Sequence, residues 1–164
     1  MTELKWNNRI KEPALVAILN FILMMVVFSL CRLFFFWVNK EYFPDVTSAH
    51  LFNLMRGGIQ FDLAALLYVN VLYVFLQIIP FRFRLNAVYQ KVLKWIYLIT
   101  NSIVIIMNCA DIPFFRFTNR RTTSTIFGEF ENEGNLFAII TRSLFEYWYV
   151  TLFALLLIFL LYKL

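Results

Sequence analysis

Long stretches without any charge alternate along this chain with short stretches where charges gather. Ala14 to Cys31 holds no charged residue; Arg32 then interrupts, and LFFFWV carries the apolar run on to Val38. A helix crossing the ~30 Å hydrocarbon core of a bilayer needs about 20 predominantly apolar residues. Residues 14–38 therefore predict a first membrane span, entered behind Pro13, which suits a first helical turn. A second span is predicted over 59–80, with Leu63 to Pro80 uncharged, a third over 92–111 and a fourth over 147–162. The fold class is all-α: a polytopic membrane helix bundle with four transmembrane helices. The connection between spans three and four, residues 112–146, is too long for a tight turn and too apolar for a free loop. Its FFRF, TIFGEF and NLFAII set aromatic and aliphatic residues beside charges, the pattern of helices that lie in the bilayer interface. One or two short interfacial helices are expected there.

Composition agrees with the pattern. The chain is 62% hydrophobic and 15% charged, whereas soluble domains run at about 45–50% and 25%; an ordinary soluble domain is excluded. The net charge of +5 forms no basic stripe or docking motif, which argues against nucleic acid. Basic residues beside apolar runs instead set topology and meet anionic lipid headgroups. Lys5, Arg9 and Lys11 precede span one, and Arg82, Arg84, Lys91 and Lys94 follow span two without an acid among them. The N-terminus is thus expected in the cytoplasm. The first apolar run is too long for a signal peptide and lacks a small-residue cleavage site. Cys31 and Cys109 fall inside apolar runs; two buried reduced thiols are the plainer reading and a disulfide the other. No motif with metal-ligand spacing occurs, and His50 is the only histidine.

Polar residues inside spans are costly in hydrocarbon, so their positions carry information. Arg32 lies near the end of span one, Asp62 near the start of span two and Asp111 at the end of span three. In an up-down-up path all three share one leaflet, and pairing of Arg32 with Asp62 or Asp111 would lower the cost of each charge. The alternative is an arginine that snorkels and two acids at wet helix ends. At about 100° per residue, Asp62, Asn70 and Gln77 fall within roughly 80° on one face of span two. Asn101, Asn108 and Asp111 cluster likewise on span three. Two such stripes can exchange hydrogen bonds through the bundle. Interhelical adhesion is preferred over a substrate path, because neither an inverted repeat nor a helix broken in mid-membrane is predicted.

The stretch NCADIPFFRFTNRRTT, residues 108–123, is unlike the rest. Asp111 is expected where span three reaches the interface, with Ile112-Pro113 ending the helix, since a proline disfavours helical geometry before it. Phe114, Phe115 and Phe117 then anchor in the acyl boundary. Arg116, Arg120 and Arg121 are candidates for binding lipid phosphate, which guanidinium forks match bidentately; an interfacial anchor without a specific ligand is an equally natural reading.

RGGIQFDLAALLYVN (residues 56–70) and NCADIPFFRFTNRRTT resemble the N-terminal membrane region of lipoteichoic acid synthase-like enzymes of the Bacteroidetes type, membrane-anchored transferases of the alkaline phosphatase/sulfatase superfamily. The order of spans is similar too, and the resemblance covers essentially the whole chain. It implies five spans with the N-terminus inside a bacterial cytoplasmic membrane, followed by an extracytoplasmic catalytic domain. That domain would use a threonine nucleophile and a divalent, manganese-like metal to move a phosphoglycerol or phosphoethanolamine headgroup from a phospholipid to an acceptor hydroxyl. The chain departs from the pattern after span four, with no fifth span and no catalytic domain, so it is expected to be a truncated membrane domain without turnover of its own. Only Asp62, Asn108, Asp111, Arg116 and Arg120 match the resembling stretches. Two other readings stay open: a small four-span transporter subunit or scaffold, and the membrane domain of a sulfatase-type hydrolase.

Overall fold

A computed structural model describes residues 2–78, 86–122 and 136–163. The end of span two at Pro80, the basic residues Arg82 and Arg84, the interfacial stretch 123–135 and Leu164 lie outside the described residues. All regular structure among them is helical. Helix α1 covers Thr2–Val38 and is followed by a 3-10 turn, Lys40–Tyr42. Helices α2 (Ser48–Val69) and α3 (Val71–Ile78) come next, then α4 (Ala87–Thr118), α5 (Leu136–Glu146) and α6 (Trp148–Lys163).

Leu15–Val38 and Ala87–Thr118 are each long and apolar enough to cross a membrane, and α2 with α3 makes a third candidate if the bent pair is one span. The 16 residues of α6 reach about 24 Å at 1.5 Å per residue, short of the ~30 Å core. The apolar residues left exposed fit these assignments. Leu19, Ile22 and Val26 of α1, and Ile99, Ile103 and Ile106 of α4, all point outward, a surface suited to lipid rather than water.

Three boundaries differ from the sequence-based expectation. Pro13 does not open the first helix, which starts at Thr2 and takes the proline inside. The second span is not continuous, because α2 and α3 meet at Asn70 with a bend of 66°. No glycine or proline lies at this break. Instead the Asn70 backbone N–H and its side-chain Nδ2 both donate to the Leu66 carbonyl, at 2.9 and 3.1 Å, and a side chain intruding on the helical ladder is a recognised cause of kinks. Nor does Pro113 end the third span, since α4 runs through it to Thr118. A proline removes one helical hydrogen bond, here the one that would reach the Cys109 carbonyl, a loss that membrane helices tolerate where the freed group is satisfied by its surroundings. The actual stop is Asn119, whose φ of 52° is the left-handed geometry that closes helices and that asparagine tolerates best after glycine. At the other end Asn86 caps α4, its Oδ1 accepting from the Val88 N–H at 2.9 Å, as N-cap residues do.

The chain divides into two compact units, residues 1–30 with 47–103, and residues 31–46 with 104–164. Met24, Leu66 and Leu93 are buried in the first, and Ile105, Ile112 and Leu157 in the second. In the second unit α5 joins α6 at Tyr147, whose N–H donates to the Ser143 carbonyl at 2.9 Å while its own carbonyl accepts from Val150.

Candidate functional site

The second unit gathers its polar chemistry where α1 ends against the last turns of α4. The last carbonyls of a helix lack intrahelical donors, and a cation there meets the negative end of the helix dipole. Arg116 supplies both, its Nη2 donating to the Val38 carbonyl at 2.9 Å. Asn39, fully buried, donates from Nδ2 to the Phe35 carbonyl at 3.1 Å and, at 3.4 Å, to the Ile112 carbonyl of α4. The Tyr42 hydroxyl reaches the Arg116 carbonyl at 3.4 Å. Around these bonds Phe115 packs against Phe35, Phe43 and Tyr42 with ring centroids 5.1, 5.5 and 5.7 Å away. Three elements are thereby tied together: the end of α1, the 3-10 turn and the final turns of α4.

Asp111 forms the second part of the tie. Its side chain is only 8% exposed, and the Nε and Nη2 of Arg121 both lie 2.8 Å from its Oδ2. The Thr122 N–H donates to Oδ1 at 2.7 Å. Charge-assisted bonds of this kind are the strong ones. The Arg121 guanidinium also lies 5.4 Å from the Phe35 ring centroid, within cation–π range.

The three arginines make different contacts within the protein. Arg121 turns back onto Asp111 and Arg116 turns inward onto α1. Arg120 is exposed, its backbone N–H and carbonyl both bonded to the Thr118 hydroxyl. The ion pair of Asp111 is with Arg121. Asp62 is buried and Arg32 half-buried. Asn108 donates to the Val104 carbonyl of its own helix at 3.1 Å.

In the first unit Asn70 and Asn101 meet as a reciprocal amide pair. Asn70 Nδ2 donates to Asn101 Oδ1 at 3.0 Å, and Asn101 Nδ2 returns a bond to Asn70 Oδ1 at 2.7 Å. Each amide spends its second N–H on its own helix, on Leu66 O and Tyr97 O. All four amide donors are used, as groups this deeply buried require. Beside the pair, Tyr73 and Tyr97 pack at 5.0 Å; Asn20 donates to the Tyr73 hydroxyl at 3.1 Å, and the Tyr97 hydroxyl donates to the Asn20 carbonyl at 2.8 Å. One hydrogen-bonded cluster thus joins α1, the α2–α3 break and α4.

Sequence reasoning passed over Asn39, Asn20, Tyr73 and Tyr97. The signal for Asn39 was its place directly behind an apolar run, where a helix end needs a capping group; the tyrosines read as apolar filler. Cys31 and Cys109 are buried free thiols within hydrogen-bond reach of each other. Among the described residues no group of three His, Cys, Asp or Glu could hold a metal ion, so the divalent metal implied by the resemblance has no donor set among them. No known protein family, curated protein or solved structure matches the chain.

Proposed function

We propose that the chain is the membrane domain of a phosphoglycerol or phosphoethanolamine transferase-like enzyme, acting on phospholipid headgroups at the outer face of a bacterial cytoplasmic membrane. In this reading α1, the α2–α3 pair, α4 and α6 are four spans, the N-terminus is cytoplasmic and α5 lies in the interface. The metal and the threonine nucleophile belong to a catalytic domain of the parent polypeptide. The observation that carries the reading is the tie at the end of α1 and α4. The stretch that resembles the family, residues 108–123, holds the residues that make it: Asp111, Phe115, Arg116 and Arg121. A catalytic domain working at headgroup height needs a rigid rim under it, and this tie supplies one. Anionic headgroups around the rim would be its immediate partners.

A transporter draws support from the broken span at Asn70, since discontinuous helices often line substrate sites. The saturated amides of Asn70 and Asn101 weigh against it, because a transport site keeps donors or acceptors for its substrate. To test the proposal, the natural gene product is purified and incubated with manganese and headgroup-labelled phosphatidylglycerol or phosphatidylethanolamine. Diacylglycerol release, with label passed to an acceptor alcohol, is the expected result. Label released only into water would assign a sulfatase-type hydrolase, and a 19.6 kDa product that releases no diacylglycerol would refute the proposal.

A further inference from the structure

Beside the tie, α6 and the last turns of α1 leave a groove of about 530 Å³, lined by Phe34, Trp37, Val38, Arg116, Tyr149, Leu152, Phe153 and Leu156. That volume is in the range of ligand sites. Phe34 forms one wall, stacked on Phe153 at 4.2 Å and edge-on to Tyr149 at 6.5 Å. Trp37, Leu152 and Leu156 remain exposed along its length. The lining is apolar apart from one end, where Arg116 and the Tyr149 ring lie. From Tyr149 to Leu156 the groove follows α6 for about 10 Å, roughly a third of the hydrocarbon core. Its arginine end coincides with the end of the apolar run at Val38, where a span meets headgroups.

Arg116 does not exhaust its donors within the protein. A guanidinium has five N–H groups; Nη2 serves Val38 O, the Tyr147 hydroxyl lies within its reach, and Nε is buried with no acceptor among the described residues. A buried donor without an acceptor marks a missing partner. We propose that the groove binds one glycerophospholipid, with an acyl chain along Phe34, Phe153, Leu152 and Leu156 and the phosphate on Arg116. Charge selects this occupant over a further apolar helix, which would cover the walls and leave the guanidinium without an anion. The inference does not rest on the transferase reading, for it requires only that these helices sit in a bilayer.

The test uses the chain in lipid nanodiscs with phosphatidylglycerol carrying a photoactivatable diazirine high on one acyl chain, and a diacylglycerol bearing the same tail. Cross-links are mapped by mass spectrometry. Phosphatidylglycerol is expected to label the Phe34 and Leu152–Leu156 segments, with diacylglycerol about tenfold weaker, the scale of a lost charge-assisted hydrogen bond. Arg116→Gln should bring the two lipids to equal labelling. Because Arg116 also caps α1, Leu152→Trp serves as the second variant: it fills the groove, leaves the arginine in place and should abolish labelling while circular dichroism stays unchanged. Equal labelling by the two lipids in the unsubstituted protein, labelling spread evenly over all lipid-facing helices, or a groove left unlabelled because a second copy of the chain covers it would each overturn the proposal.

Discussion

The Asn70–Asn101 pair provides the sharpest energetic test, because its geometry predicts strong non-additivity. Two bonds cross between the helices, one in each direction, and a third and fourth stay within α2 and α4. Interhelical side-chain hydrogen bonds in membranes average about 0.6 kcal/mol and reach about 1.7, so two reciprocal ones are worth about 1–3 kcal/mol. Asn70→Ala removes both crossing bonds at once, and so does Asn101→Ala. The double variant loses the same two bonds only once. Each single substitution should therefore cost about 1–3 kcal/mol plus the small loss of its own intrahelical bond, and the double should fall short of the sum by about 1–3 kcal/mol. Equilibrium unfolding in mixed micelles, followed by circular dichroism as denaturing detergent is titrated in, measures all four corners of the cycle. Energies that add to within about 0.3–0.5 kcal/mol would mean the amides do not share their bonds. A paired Asn70→Leu, Asn101→Leu variant should come back close to the unsubstituted stability, since replacing both partners by apolar groups leaves no orphaned donor.

Asp111→Asn keeps an oxygen for the Thr122 N–H but loses the ion pair, an expected cost of about 1–2 kcal/mol given that Arg121 is 56% exposed and therefore screened. Asp111→Leu orphans both partners and should cost about 2–4 kcal/mol; the same detergent titration ranks the two, and equal costs would show that the carboxylate carries no charge-dependent stabilisation. Cys31 and Cys109 should form a disulfide when membranes are treated with a copper–phenanthroline oxidant. Protection of both thiols from a mass-tagged maleimide reports it, Cys31→Ser should abolish it, and two thiols still fully reactive after oxidation would place them apart. Asn119→Gly should leave stability nearly unchanged, whereas Asn119→Val should cost about 1–2 kcal/mol, the penalty of a side chain forced into left-handed geometry.

The helical class and the two long apolar helices were legible in the sequence, because a long run with almost no charge has few other uses. What failed were the interruptions. Ile112-Pro113 reads as a stop in water, yet in a span the lost hydrogen bond is less costly than exposing backbone to hydrocarbon, and α4 continues. Asn70 reads as one more polar residue on a stripe; the bend depends on its amide reaching Leu66 O while also bonding Asn101, and the sequence of α2 says nothing of α4. The arginine partners were out of reach for the same reason. Arg121 follows Asp111 by ten positions, too far for any helical pairing rule, and the two meet only because the chain turns back after Thr118.

That turn links two features that look separate in the sequence. Asn119 ends α4 with its N–H on Phe115 O at 2.8 Å and a φ of 52°, and the reversal it imposes carries Arg121 and the Thr122 N–H back to Asp111. The helix stop and the ion pair are then one structural unit: a residue that resists left-handed geometry at position 119 weakens both. Asn119→Val combined with Asp111→Asn should accordingly cost less than the two separately, since the first already loosens the bonds the second removes. Full additivity would mean that the ion pair forms independently of the turn, and the rim at the end of α4 would have to be rebuilt as two unconnected contacts.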